Sequence, residues 1–222
     1  SSIFVDVIID AHELLRHARK NIGFIFYGKS LGLELHYFGF QEHFYLRNQE
    51  LINTLKTNNI NTIFVYSPLE FIALRLLFEH YNTGIELKYF FEVLTDDKDL
   101  FSAKNAQYDV TVQEPCVIAR RCNLITPLKF VKKIKGIRVY SHPLSGTLTI
   151  CCGEFMWLLK PYLTMRNVLE RMKSLVHAGS NSIIVACPSA LFLFTVAKEF
   201  WSDLLGDVTI YDASKFLLRL LK

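Results

Sequence analysis

The chain has 222 residues, 51% of them hydrophobic and 21% charged, and carries a formal net charge of +4. Such a composition fits a folded globular protein and excludes a disordered one, while the absence of a long Lys/Arg stripe excludes a nucleic-acid footprint. No apolar run reaches the ~18 residues of a membrane span. No secretory signal pattern opens the chain, although its Ser-Ser start without Met leaves room for a preceding piece.

In chain order, the pattern predicts a helix over 6–20, apolar at helical spacing and basic at its end. Buried-strand runs follow at 22–27 (IGFIFY) and, with alternation, at 31–38 (LGLELHYF). A helix is expected over 42–56, a strand over 60–66, and a helix from Pro68, proline being at home in a first turn. Gly84 ends that helix and 85–90 reads as a strand. Further on, 109–115, 136–141, 147–150 and 182–186 read as strands, 127–136 as a crossover helix, and 214–222 as an amphipathic helix. Helices alternating with short apolar strands predict an α/β fold with mostly parallel sheets.

The chain also repeats itself. NINTIFVYSPLE (59–70) matches GSNSIIVACPSA (179–190), with Asn, Ile, Val and Pro in register. GLELHY (32–37) pairs with GIRVYS (136–141), and GIELKY (84–89) with GDVTIY (206–211), in the same order. The expected organisation is an N-terminal helix over 1–20 and two similar, pseudo-duplicated α/β halves, 21–107 and 108–222.

Gly23 to Ser30, GFIFYGKS, satisfies the phosphate-loop pattern G-x-x-x-x-G-K-[ST]. That loop must follow a strand and open a helix. Here the x residues are bulky and β-prone, and the residues after Ser30 alternate like a strand. Nucleotide binding is therefore not expected.

All five cysteines, Cys116, Cys122, Cys151, Cys152 and Cys187, fall in the second half. An odd number without a signal argues against a disulfide framework and for a reducing compartment. Thirty-four residues separate Cys116 from Cys151, and thirty-four separate Cys152 from Cys187. Each of these positions follows a predicted strand. In a parallel sheet the turns beyond the strand carboxyl ends converge, so four thiols can meet in one place.

The segments E-P-C (114–116), C-C-G (151–153) and A-C-P (186–188) at these gaps resemble the cysteine-rich CCG domain family, which occurs in heterodisulfide reductases and archaeal-type succinate dehydrogenases. The resemblance implies two copies of the domain and an iron–sulfur cluster held by Cys116, Cys151, Cys152 and Cys187. The first copy would have Gly28-Lys29, Gln41–Phe44 (QEHF) and Ser67–Glu70 at its motif positions, without any cysteine. The last motif cysteine of the second copy is Ala190. Four thiols suit a [4Fe–4S] centre first and a [2Fe–2S] centre second, with Cys122 a possible extra ligand or a structural thiol. The implied role is an electron-transfer subunit in a hetero-oligomeric oxidoreductase, beside flavoprotein or ferredoxin-type iron–sulfur subunits. It would be cytoplasmic, with peripheral membrane association possible through partners, and either non-catalytic or dependent on its partners for catalysis.

Other readings stay open. Free cysteine is often an inert core residue. Zinc usually takes C-x₂₋₄-C knuckles, which are lacking. Thiol exchange usually needs C-x-x-C, although a vicinal pair can serve. A metal-free docking subunit would explain the eroded first copy. Arg120 and Arg121 could offset cluster charge, and His142 could reach the cluster, whereas His36 and His43 read as surface or interface residues. Trp157 and the FMWLL run (155–159) are expected to pack the core or line the cluster site.

Overall fold

The connections between paired strands run through helices, and every paired strand lies parallel to its neighbour. The computed structural model describes residues 2–18, 22, 23, 25, 27, 29–95, 98–103 and 107–221. Helix α1 (Ser2–Ala18) leads to a short α2 (Leu33–Tyr37) and then to α3 (Gln41–Thr57), β1 (Thr62–Val65), α4 (Pro68–His80), β2 (Glu86–Tyr89) and α5 (Phe90–Thr95). The second half runs β3 (Tyr108–Gln113), α6 (Cys116–Arg121), α7 (Thr126–Val131), β4 (Ile137–Tyr140), α8 (Glu154–Trp157) and α9 (Pro161–His177). It ends with β5 (Ser182–Val185), α10 (Pro188–Phe200), α11 (Ser202–Leu205), β6 (Thr209–Asp212) and α12 (Ala213–Leu218).

Strands β1 and β2 form one parallel sheet, and the second sheet has the order β4-β3-β5-β6, parallel throughout. Its inner strands β3 and β5 are the buried ones, with Val110 to Gln113 and Ile183 to Val185 inaccessible to solvent, as parallel strands covered on both faces require. The edge strands β4 and β6 remain half-exposed. Helix α9 turns Met165, Val168, Leu169, Met172 and Leu175 inward at helical spacing. The fold is α/β, with one sheet in each half.

The halves repeat in detail. Helices α3 and α9 have 17 residues each, β1 and β5 have 4, α4 and α10 have 13, and both last two open on proline. Strands β2 and β6, then α5 and α12, complete the series. One apolar core runs through both halves without a break. Hydrogen bonds also cross between them: the Tyr66 hydroxyl donates to Asp212 Oδ2 at 2.8 Å, and the Tyr89 hydroxyl to the Ala186 carbonyl at 3.3 Å.

Several expectations are corrected. Residues 31–38 do not form a strand: α2 occupies 33–37, because Gly32 takes a left-handed φ of 71° and caps a single helical turn that buries Leu33. A helix therefore does begin shortly after Ser30, but it has 5 residues, and the Ser30 hydroxyl already accepts the Gly32 amide at 3.1 Å. The expected strand at 22–27 lies partly outside the described residues, and Ile22, Gly23, Ile25 and Tyr27 belong to no strand.

In the second half, 147–150 is not a strand, since a 3-10 turn spans Gly146–Leu148. The crossover helix is shorter than 127–136, ending at Val131. The terminal helix α12 buries Phe216 and Leu217 and docks into the core. The first-half counterpart of Cys151-Cys152-Gly153 is also not Gln41–Phe44. Gly153, at φ 89°, caps α8 ahead of α9 just as Gly32 caps α2 ahead of α3. Ser30-Leu31 therefore stand where the cysteine pair stands.

Candidate functional site

Cys116 and Cys187 sit where adjacent inner strands end. After β3 the chain turns at Pro115 and Cys116 opens α6. After β5, Cys187 is the residue before α10, whose first turn holds Pro188. Because β3 and β5 pair in register from Thr111↔Ile183 to Gln113↔Val185, these two turns are neighbours. The cysteine pair arrives differently, on a loop that leaves β4 at Tyr140 and is tied back by Gln113 Nε2, which donates to the Ile150 carbonyl at 3.1 Å. Gly153 then aims Cys151 and Cys152 at the strand ends, and the Thr164 hydroxyl fixes the Gly153 carbonyl at 3.2 Å.

The four thiols line one cavity of about 30 Å³. Pro68 and Leu69, at the start of α4 in the first half, close it from the other side, and Ala190 lines it where the motif's last cysteine would fall. Cys116 and Cys152 both direct their S–H toward the Cys151 sulfur, which also receives the amides of Gly153 and Glu154. The Gly153 amide lies 3.3 Å from that sulfur. These donors pull the Cys151 thiol strongly down, whereas Cys116 and Cys152 are pushed up by giving their protons to it and by burial. Cys187 is pushed up to about 12, chiefly by burial and then by Glu154. The amides of Ser189 and Ala190 face its sulfur.

Two carboxyls also line the cavity. Glu154 rises to about 7 through desolvation, and the Ser189 hydroxyl donates to its Oε1. Glu114 also rises to about 7 through desolvation, while accepting the Leu128 amide at 2.8 Å. Neither was singled out in the sequence, although Glu154 directly follows Cys-Cys-Gly.

The structure separates the remaining candidates. Cys122 does not join the four; it accepts the Arg75 guanidinium at 3.5 Å, beyond α6. The Arg120 charge slightly opposes the rise at Cys116, whereas Arg121 lies over the Tyr37 ring at 4.6 Å. His142 Nδ1 accepts the Leu144 amide and faces Arg171, away from the thiols. His36 packs edge-on to Phe44, while His43 lines a shallow cleft with Leu35, Phe40 and Arg47. From the FMWLL run only Phe155 reaches the cavity. Trp157 packs on Phe192, while Leu158 and Leu159 are 79% and 67% exposed.

Four cysteines on one cavity are a soft donor set suited to an iron–sulfur centre, with zinc the next choice. By donor identity and convergence the residues fit a cluster. Among the described residues no group of three or more His, Cys, Asp or Glu is placed to hold a single metal ion. The cavity is water-sized, so a larger group enters only as the S–H···S contacts part. No helix among the described residues is long and apolar enough to cross a membrane. The chain matches no protein-family model and no curated protein.

Proposed function

We propose that the protein is an iron–sulfur electron-transfer subunit of a larger oxidoreductase, of the heterodisulfide reductase-like or succinate dehydrogenase-like kind. The observation that carries this reading is the convergence of Cys116, Cys151, Cys152 and Cys187, from three separate turns, on one cavity. These four would hold a [4Fe–4S] or [2Fe–2S] cluster, and the bound cluster supplies reversible one-electron storage. Around it, the Gly153 and Glu154 amides meet the Cys151 sulfur, and those of Ser189 and Ala190 meet Cys187. Hydrogen bonds to sulfur of this kind tune potential. Pro68 and Leu69 keep water from one side.

Exposed apolar residues crowd the chain after the cysteine pair: Met156, Leu158, Leu159, Tyr162 and Leu163. Apolar side chains so close to the cysteines suit a partner redox subunit in a hetero-oligomer. The test is anaerobic purification with iron and sulfide quantitation. A brown chain with visible absorbance, both lost in Cys151→Ser, is expected. A colourless, iron-free chain after cluster reconstitution would leave a metal-free docking subunit as the reading. A second chemistry is favoured by the stabilised Cys151 sulfur between two thiol donors: thiol–disulfide exchange. It predicts fast alkylation at Cys151 and an oxidised form lacking two free thiols.

A further inference from the structure

Arg171, on the inward face of α9, is 2% exposed. A buried guanidinium is costly unless it is paired and hydrogen-bonded, yet among the described residues Arg171 makes no ion pair. Desolvation alone pulls it down to about 10. Its partners are neutral. Nε donates to Gln113 Oε1 at 2.7 Å, Nη2 to the Thr149 hydroxyl at 3.4 Å, and Nη1 lies 3.5 Å from His142 Nδ1.

The short bond to Gln113 decides which way that amide points. With its oxygen held by the guanidinium, Gln113 must present its nitrogen to the other side. There Nε2 donates to the Glu114 carbonyl at 3.0 Å, the Ile150 carbonyl at 3.1 Å and the Thr149 hydroxyl at 3.4 Å. The Glu114 carbonyl leads into Pro115-Cys116, and the Ile150 carbonyl is bonded directly to the Cys151 nitrogen. One side-chain amide therefore straps two cysteine turns together, and a buried cation sets its orientation.

We infer that Arg171 is a positioning residue that fixes, through Gln113, the placement of Cys116 against Cys151; the inference rests on reading the cysteine cavity as the functional site. Arg171 touches none of the four thiols. It acts on the backbone just ahead of two of them. A residue present only to fill space would not need to orient an amide, and an aliphatic side chain would fill the same volume without the desolvation cost.

The test is site-resolved alkylation of the full chain by iodoacetamide, after anaerobic iron removal and under reducing conditions, with Cys122 as internal reference. In Arg171→Met, the rates at Cys116 and Cys151 are expected to rise about tenfold, the equivalent of one lost charge-assisted hydrogen bond. Cys122 and Cys187 should keep their wild-type rates, and Arg171→Lys should restore most of the protection. Gln113→Glu guards against a misfolded Arg171 variant. It keeps an acceptor for the guanidinium, so Arg171 stays paired, but it removes the amide donor and should free the same two thiols while Cys122 and Cys187 keep their rates.

Unchanged rates at Cys116 and Cys151 in both variants overturn the inference. So does an equal rise at all five cysteines, which means general loosening. Iron and sulfide in the wild-type chain are read separately. A chain without iron that still shows the selective change defeats the cluster reading and leaves the strap standing, and an iron-bearing chain without that change does the reverse.

Discussion

The segment from α3 to α5 and the segment from α9 to α12 repeat the same elements at matched lengths, α11 apart, but all five cysteines fall in the second half of the chain. Ser67 stands before Pro68 as Cys187 stands before Pro188, and Ser30-Leu31 precede the capping Gly32 as Cys151-Cys152 precede Gly153. Even the anchoring of that turn to the next helix recurs. Asn48 of α3 donates to the Leu31 carbonyl at 2.9 Å, and Thr164 of α9 to the Gly153 carbonyl. A strand, a turn and a proline-led helix therefore form equally well without a thiol. The fold does not need the cysteines, so their gathering in one half calls for a chemical explanation.

The sharpest way to break this comparison is to exchange the turn residues. Cys151→Ser or Cys116→Ser is expected to reduce bound iron and visible absorbance to background. Ser67→Cys in the first half should add no iron, because Pro68 and Leu69 line the four-thiol cavity and Ser67 does not. Iron gained by Ser67→Cys would show that the halves differ less than their turns suggest.

Next in size are substitutions in the shared core. Phe194 of α10 is fully buried, and Leu74 holds the matching place in α4. Truncation to Ala should cost about 3–5 kcal/mol for Phe194 and about 2–5 for Leu74. Since one core joins the halves, each variant should lower a single calorimetric transition. Two separated transitions would mean that the halves melt independently.

Gly179 sharpens the contrast further. It adopts φ 129°, and a Cβ there would lie 2.5 Å from the Tyr140 ring of β4. Its first-half counterpart is Asn59 at φ 53°, and the first sheet has no strand corresponding to β4 among the described residues. Gly179→Ala should therefore destabilise by roughly 2–3 kcal/mol in chemical denaturation, whereas Asn59→Gly should change stability by less than about 0.5 kcal/mol.

The contact between halves gives a smaller, pH-dependent effect. Asp212 caps α12, accepting the Lys215 amide at 3.0 Å and the Ser214 hydroxyl, and it also takes the Tyr66 hydroxyl. Burial raises its pKa above 3.8 despite these donors. A raised carboxyl stabilises the fold most below its unfolded pKa, and this contribution is lost as pH rises through the folded value. Denaturation of the wild type against Asp212→Asn should show the difference shifting against the wild type as pH climbs from about 4. Tyr66→Phe should cost about 1–2 kcal/mol, and no cost would mean that the Tyr66–Asp212 bond contributes nothing to joining the halves.

Much of this was legible from local pattern. The α/β class, the strands at 62–65, 86–89 and 182–185, and the helices opening near Pro68 and Pro127 follow from apolar runs and turn residues that act over a few neighbours. The repeat was legible too, but its register around α2 was not. LGLELHYF alternates like a strand, and only the packing of Leu33 with the left-handed Gly32 selects a helical turn. The loop at 147–150 misled in the same way, since β-prone residues there have no neighbouring strand to pair with.

The sequence alone therefore determined which chemistry is available: four thiols at equal gaps, confined to one half, on a chain of alternating helices and strands. Only the tertiary structure decided which atoms face one another. It brought Pro68 and Leu69 over the cysteines, sent Cys122 to Arg75, and buried Arg171 against Gln113. Periodicity records which face of an element avoids water, whereas the partner met on that face depends on crossover connections that join residues far apart in the chain.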